Sequence, residues 1–463
     1  MYEELEGSRW SERRKQRVLW SVSAVGSLVL FAALRSGGLL SPSQASLRMA
    51  FSAVDVKKVR YASMSAEERH LVFTQFKSDF SRKYVDDDEE ALRRDVFLKN
   101  LDLIDGMNDA NPFALFGVNA FTDETSSERQ KRKMVPKTQS EAMGAVLKTF
   151  GEDFFFQKKT WEAGALSISR GKDTSTFQLA QGEVSWANAS DCAACDRYAT
   201  FDKYDYANLP ENFDWRSLGA VTEVKNQAYC GSCWSFSTAA DVEGTYFLST
   251  GHLRSFSPQQ LVECNTVNAG CDGGYPFAAM QYIAHFGGLV TWETLPYENV
   301  YEADASKNPI GTPTCDTTIL NDALKSHEVA HLGGFQFVAM GPQDEDLMRL
   351  VLVKNGPLSV SFNANAMDFY VHGVVGCSDT YCETGAIEHP ATCDPTSLDH
   401  AALLVGYGIQ QIGDTDVPYW LIKNSWGSAW GEDGYYRLLR GVNACGVANM
   451  VVHSVIKDPN NID

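Results

Sequence analysis

The chain has 463 residues, 44% hydrophobic and 21% charged, with a formal net charge of −19, which is the composition of a globular protein long enough for two or more folded units. The acidic excess is concentrated: from residue 209 onward, 11 Lys and Arg face 29 Asp and Glu. Nucleic acid needs basic surface to neutralise its phosphates, so this half argues against such a partner.

Residues 1–17 carry Arg9, Arg13, Arg14, Lys15 and Arg17, and the run over 18–34 (VLWSVSAVGSLVLFAAL) is uncharged and mostly apolar. That run is at the short end of what spans a bilayer. The basic flank predicts a cytoplasmic tail at 1–17, a transmembrane signal anchor at 18–34 and a luminal remainder, making the precursor a type II membrane protein. A cleaved signal peptide with a secreted product is the competing reading. Between Ala66 and Asn108 the chain is rich in charge, lacks Pro and spaces Leu71, Phe73, Phe76, Phe80, Leu92, Val96, Leu103 and Ile104 as helices do. From Glu124 to Asn208 it turns polar and weakly patterned, with the basic cluster Arg129, Lys131, Arg132, Lys133 and the sequon Asn188-Ala189-Ser190. We expect a linker or insertion here, protease-accessible where exposed and glycosylated at Asn188.

From Leu209 the texture changes again. The stretch from Ser232 to Glu243 has neither Pro nor Gly, as a helix would, whereas "PLSVSF", "HAALLVGYG", "PYWLIKNSWG" and "GYYRLLRG" have the aromatic and β-branched texture of strands. The expected fold class is α+β, helix-rich first and strand-rich later. All eleven cysteines lie at or after Cys192, and an odd, clustered set behind a targeting segment fits disulfides plus one free thiol.

Within "NQAYCGSCWSFS", Cys230 and Cys233 admit three readings: a redox pair, half of a metal site, or one structural and one reactive thiol. No second CxxC follows Cys233, and the His327-x3-His331 spacing further on has no motif context and reads as ordinary histidines, so no zinc set is completed. A helix starting near Ser232 would put Cys233 at its N-terminus, where unpaired N–H groups favour thiolate. A thiolate nucleophile needs an imidazole, a group to orient it and donors for an oxyanion. His400, Asn424 and Gln227 are the candidates.

These segments, with "GCDGGYPF", "LDHAALLVGYG" and "KNSWGSAWGEDGYYRL", resemble papain-family cysteine peptidases of the cathepsin L and cathepsin F type. The resemblance implies a papain-like two-lobed fold, with a helical left lobe and a β-barrel-like right lobe, preceded by a helical inhibitory prodomain. It implies Cys233 as nucleophile, His400 as its ion-pair partner, Asn424 as the ring's orienter and Gln227 in the oxyanion hole. Trp426 would shield the Asn–His hydrogen bond. It also implies the bridges Cys230–Cys271, Cys264–Cys315 and Cys393–Cys445. Cys377 and Cys382 have no family counterpart and would pair locally, as would Cys192 and Cys195. His400 and Asn424 lie 167 and 191 residues after Cys233, beyond the family's roughly 130–150, so surplus loops are expected.

Gly273 and Gly274 would bind substrate backbone, and Tyr275, Pro276, Ala401 and Met450 would line an apolar S2 pocket that favours Leu, Val or Phe at P2. Upstream, Glu89, Arg93, Phe97, Asn100, Ile104 and Asn108 match the E-x3-R-x3-F-x2-N-x3-I-x3-N pattern of cathepsin prosegments, and Gly117, Asn119, Phe121 and Asp123 the motif that follows it. The implied organisation is an inhibitory prodomain at 66–123, a removable linker at 124–208 and a peptidase domain at 209–463. Protein or peptide substrates, the chain's own prodomain and cystatin-type inhibitors are the implied partners. No cofactor is implied, the mature enzyme would be a monomer, and the setting would be a lysosome-like acidic compartment. Acid would loosen the prodomain as carboxylates such as Asp123 gain protons. A peptide ligase or transpeptidase on the same site, and a non-catalytic binding relative, are the alternatives.

Overall fold

The computed structural model describes residues 58–134, 208–298, 315–325, 329–376 and 393–456, with the backbone of strands at 137–138, 157–162, 165–170 and 173–178. The 18–34 run, Asn188, Cys192, Cys195, Cys377 and Cys382 lie outside the described residues. Among those described, no helix is long and apolar enough to cross a membrane.

A small unit holds helix α1 (Ala66–Asp79). Ser65 and Glu68 form a capping box that satisfies the first free amides of this helix. Its inward residues Phe73 and Phe76 stack on each other, and Phe73 stacks on Tyr84. Most of the chain from Asp88 on forms the second unit.

In that larger unit, helix α2 (Asp87–Ala110) buries Phe97, Asn100, Leu101, Ile104, Met107 and Asn108, a stripe at three- and four-residue spacing. The two buried asparagines of this stripe serve as connectors. Asn100 Nδ2 donates to the carbonyls of Thr122 and Glu124, and Asn108 exchanges two bonds with the backbone of Phe116. The chain after α2 is thereby laid back along the helix. It continues as strand β1 (Ala114–Phe116) and the short helix α3 (Ser126–Gln130), which has its own capping box from Thr125 and Glu128.

The main elements that follow are β2 (Phe213–Asp214), α4 (Cys233–Thr250), α5 (Pro258–Cys264), α6 (Pro276–Phe286), β3 (Leu332–Ala339), α7 (Glu345–Asn355), β4 (Leu358–Phe362), β5 (Tyr370–Val375), β6 (His400–Ile412), β7 (Thr415–Lys423), β8 (Tyr435–Leu439) and β9 (Met450–Ile456). They make a helical region followed by one sheet, ordered β1-β5-β8-β7-β6-β4-β9-β3 with β2 pairing to β6. The four strand segments expected from sequence are β4, β6, β7 and β8. Strand β1 belongs to the prosegment yet adds an antiparallel edge to β5.

Helix α4 is the pillar between the two parts. Its buried Val242 and Ala239 join Phe256, Leu261, Phe277, Met280 and Val452 in one apolar core. Its polar groups are paired: Asp241 accepts from the backbone amides of Ser359 in β4 and Ser454 in β9, and Ser237 Oγ donates to Ala402 O in β6. Disulfides join Cys230 to Cys271, Cys264 to Cys315 and Cys393 to Cys445, the three pairings the resemblance implied.

The stretch expected to be a linker, protease-accessible where exposed, is not exposed in most of its basic cluster. Arg129, Arg132 and Lys133 are all buried. Each has a carboxylate partner supplied by the fold, which composition alone does not show. Further on, the backbone segments 157–162, 165–170 and 173–178 pair in an antiparallel set where no pattern was expected.

Candidate active site

Cys233 is the first residue of α4, with the helix's unpaired amides around it, and is the free cysteine among the described residues. The preceding turn is held tightly: Cys230 is bonded to Cys271, and Gly231 N donates to Cys271 O. A Cβ on Gly231 would sit 2.4 Å from that oxygen, so no larger residue fits between the two cysteines. Of the three readings of the pair, the structure has the third: Cys230 is bridged elsewhere and Cys233 is left as a thiol.

His400 opens β6 and Asn424 follows β7, on neighbouring antiparallel strands. This register brings His400 Nε2 within 2.8 Å of Asn424 Oδ1, which fixes the ring. Trp426 covers the pair, its ring centroid 5.0 Å from that of His400. His400 Nδ1 is buried with no hydrogen-bond partner. The backbone amide of Ala401, next to His400, bears on the Cys233 thiol, so sulfur and imidazole belong to one locus.

Gln227 is buried against the same turn. Its backbone N donates to Ser425 O, its Oε1 accepts from Ser425 Oγ, and its Nε2 points to Cys230 O and to Arg132 O, at 2.7 and 2.8 Å. Arg132 follows α3, so a backbone carbonyl from upstream of residue 209 occupies this amide donor. Next, Met134 N donates to Asp399 O at 2.7 Å. The Met134 side chain enters the apolar cluster with Cys233, Leu398, Ala401 and Met450. Gly273, at φ +119°, leaves room for it, since a Cβ there would come within 3.0 Å of Met134 Cβ. Tyr275 packs on the same cluster, Pro276 starts α6, and the Asn268 side chain bonds both N and O of Tyr275. Gly274 fits tightly over Asn268 and Trp234.

The prosegment strap is held by charge. Arg132 makes a two-pronged pair with Glu124, and Tyr229 OH donates to the same carboxylate at 2.7 Å. Its guanidinium also lies over the rings of Phe121 and Tyr229. Arg129 and Lys133 both pair with Asp368 at 3.0 Å. Phe121 meets Trp426 edge-on. Further back, Arg93 pairs with Glu128 at 2.8 Å and lies near Glu89.

Burial under the strap changes the chemistry. Desolvation pushes the Cys233 thiol up to about 12, against the favourable amides of Ala401, Trp234 and its own backbone. Desolvation likewise pushes His400 down to about 4, with the nearby Lys133 ammonium adding to the effect and Asn424 opposing it. The closed state therefore holds a neutral thiol beside a neutral imidazole.

Every catalytic residue expected from sequence lies at this locus. The residues missed were Glu124, Arg132, Lys133, Met134, Tyr229 and Asp368. One signal was legible: Thr125 and Glu128 form a T-x-x-E capping box directly before the basic cluster. It marks an ordered helix start, not the beginning of a loose linker.

The model of the papain family cysteine protease matches residues 209–455, and that of the cathepsin propeptide inhibitor domain matches residues 73–128. The chain is 33% identical to cathepsin F of Drosophila melanogaster over 86% of its own length and 54% of that protein, so it spans about half of this relative. It is 35% identical to cysteine proteinase 15A of Pisum sativum, over 83% of this chain and 87% of the pea protein. Among solved structures, digestive procathepsin L2 from Tenebrio molitor larval midgut superposes with a TM-score of 0.57 at 26% identity, covering 84% of this chain and 99% of that one.

Proposed function

Because the chain belongs to the papain family of cysteine proteases and carries a cathepsin propeptide inhibitor domain, we propose that it is an endopeptidase zymogen whose site is Cys233, His400, Asn424 and Gln227. The observation that carries this reading is the assembly itself: a helix-terminal free thiol, an imidazole fixed by Asn424, and the Gln227 amide engaged by a prosegment carbonyl.

Once the strap leaves, water and the helix terminus lower the cost of charge at Cys233. The thiol proton passes to His400 Nδ1, and the thiolate adds to the scissile carbonyl. Gln227 Nε2 and the Cys233 backbone N–H receive the oxyanion. His400 returns the proton to the departing amine, leaving an acyl-enzyme that water hydrolyses with His400 as base. Asn424 keeps the ring in place through both transfers. An amine in place of water would give the transpeptidase alternative, which product analysis separates.

The Met134 side chain in the pocket of Ala401 and Met450 supports an apolar P2 preference, because the pocket already holds an unbranched apolar group. Acid release is supported at Glu128. Against the upward push of burial, Arg93 and Thr125 hold its carboxyl below the usual value. A depressed folded value stabilises the closed form above the ordinary carboxyl range, and that stabilisation is lost as pH falls through the folded value. Asp399 acts in the opposite sense: burial raises it to about 6, with Lys133 opposing, so it favours the closed form at low pH. Release by acid therefore requires the paired prosegment carboxylates to outweigh Asp399. We place the protein in the secretory pathway, in an acidic lysosome-like compartment, tethered through the 18–34 run until processed. A monomeric mature form open to cystatin-type inhibitors completes the reading.

The test is acid incubation of the chain beside its Cys233→Ala variant, followed by band size and by hydrolysis of Leu-Arg and Arg-Arg dye amides. Shrinkage to the size of residues 209–463 in the wild type alone, with preference for Leu-Arg, is expected. A wild type that hydrolyses neither substrate after cleavage overturns the reading.

A further inference from the structure

Asp368 lies in the loop between β4 and β5, outside the motifs that carry the catalytic residues, and no step of the mechanism above uses it. Two cationic side chains of the strap converge on it. Arg129 Nε reaches one carboxylate oxygen and Lys133 Nζ the other, both at 3.0 Å. A third prosegment residue, Asn119, donates through Nδ2 to the Asp368 backbone carbonyl at 2.9 Å. Three tethers on one residue make it the principal polar anchor of the strap across the cleft.

Its position follows from the course of the strap. Met134 fills the apolar pocket beside Gly273 and Met450, which on the reading above takes the P2 side chain. Two residues back, the strap passes the catalytic locus, where Arg132 O lies on Gln227 Nε2. Lys133 and Arg129 pair with Asp368, which is no part of that apolar cluster. The end of the cleft beyond the catalytic locus from the P2 pocket is where the leaving-group side of a substrate lies. His400 feels the charges of both Lys133 and Asp368, so this carboxylate is within electrostatic reach of the imidazole. When the strap departs, Arg129 and Lys133 go with it and the carboxylate is left without its cations.

We propose that Asp368 is a specificity-determining residue of the mature enzyme, selecting substrates with a Lys or Arg side chain just after the scissile bond, in the place the strap's own basic residues hold in the zymogen. The inference rests on the protease reading and on the assignment of the apolar pocket to P2. The selection is electrostatic and at a cleft rim, so it is modest in size and sensitive to salt.

The experiment uses the full chain after acid activation and a set of internally quenched peptides. They share Leu at P2 and differ only by Lys, Gln or Glu at P1′ or P2′. For the wild type, kcat/KM should fall in the order Lys, Gln, Glu at one of these positions. The Lys-to-Glu ratio should be about fivefold, the scale of a half-exposed ion pair, and should shrink in about 0.5 M salt. Asp368→Asn should bring that ratio close to one, and Asp368→Lys should invert it. Each ratio is internal to one enzyme, so a general loss of activity cancels. A wild-type ratio near one overturns the proposal without recourse to any variant, as does a ratio that survives in Asp368→Asn. The Leu-Arg dye amide has no residue beyond the scissile bond. If it is hydrolysed while the peptides show no charge preference, this inference alone fails. If it is not hydrolysed, the protease reading fails and takes the inference with it.

Discussion

The prosegment strap and helix α4 both pack on the catalytic sheet, with different chemistry. Helix α4 is held by an apolar core, by Asp241 bridging to two strand amides and by the nearby Cys230–Cys271 bridge. The strap, from Glu124 to Met134, buries one apolar anchor, Met134, and is held besides by ion pairs among Glu124, Arg132, Arg129, Lys133 and Asp368 and by backbone bonds at Arg132 O and Met134 N. Apolar burial needs no partner, whereas a buried charge is costly unless its partner stays in place. The two regions therefore differ in what a single side-chain change can undo.

The largest expected effect separates chemistry from folding at helix α4. Cys233→Ala should lower peptide hydrolysis by at least about a thousandfold, while the zymogen's Tm stays within about 2–4 °C of wild type, since one buried sulfur is removed from a large core. Differential scanning calorimetry beside a fluorogenic assay reads both numbers. A Tm that collapses would mean that the thiol is part of the scaffold.

In the strap, Arg132→Ala leaves Glu124 buried with Tyr229 alone and should cost about 3–5 kcal/mol of strap attachment. Hydrolysis at neutral pH before any acid step should rise accordingly. The paired change Glu124→Gln with Arg132→Met removes both charges and should restore much of the latency, because no buried charge is left unpaired. If the single and paired variants leak equally, the strap is held by its backbone contacts and the contrast with α4 fails.

Two smaller effects sharpen the comparison. Asp241→Asn keeps the shape of the bridge but weakens a charged acceptor, and should cost about 1.5–3 kcal/mol of global stability with little change in latency, read by urea unfolding against the neutral-pH background rate. Glu128→Gln removes a carboxylate whose value is held low in the closed form. The acid-release curve of this variant should start from a weaker grip and lose part of its steepness, a change of a few-fold in release rate. Stopped-flow release at stepped pH would show it. An unaltered curve would transfer the acid response to other carboxylates.

Much of this protein was legible in the sequence, because the features concerned are local or carried by fixed motifs. Helix α2 follows from its charged, proline-free run, although of the apolar positions expected in it Leu92 is exposed and only Ile104 is buried; strands β4, β6, β7 and β8 follow from their aromatic and β-branched texture, and the free thiol from the segment around Cys230 and Cys233. The positions of His400 and Asn424 were recognisable in the same way, since each lies within a continuous motif. The basic cluster at Arg129 to Lys133 was not legible in this sense. A run of charges has the composition of a solvated linker, and only partners distant in the chain make it a buried strap. Glu124 stands 8 residues from Arg132, but Tyr229 stands 97 from the same cation and Asp368 up to 239 from the ones it meets. Sequence by itself determined which groups could do chemistry and which segments would be regular. The tertiary structure alone decided which charges are buried together, because desolvation and ion pairing depend on distances in space that no local pattern encodes.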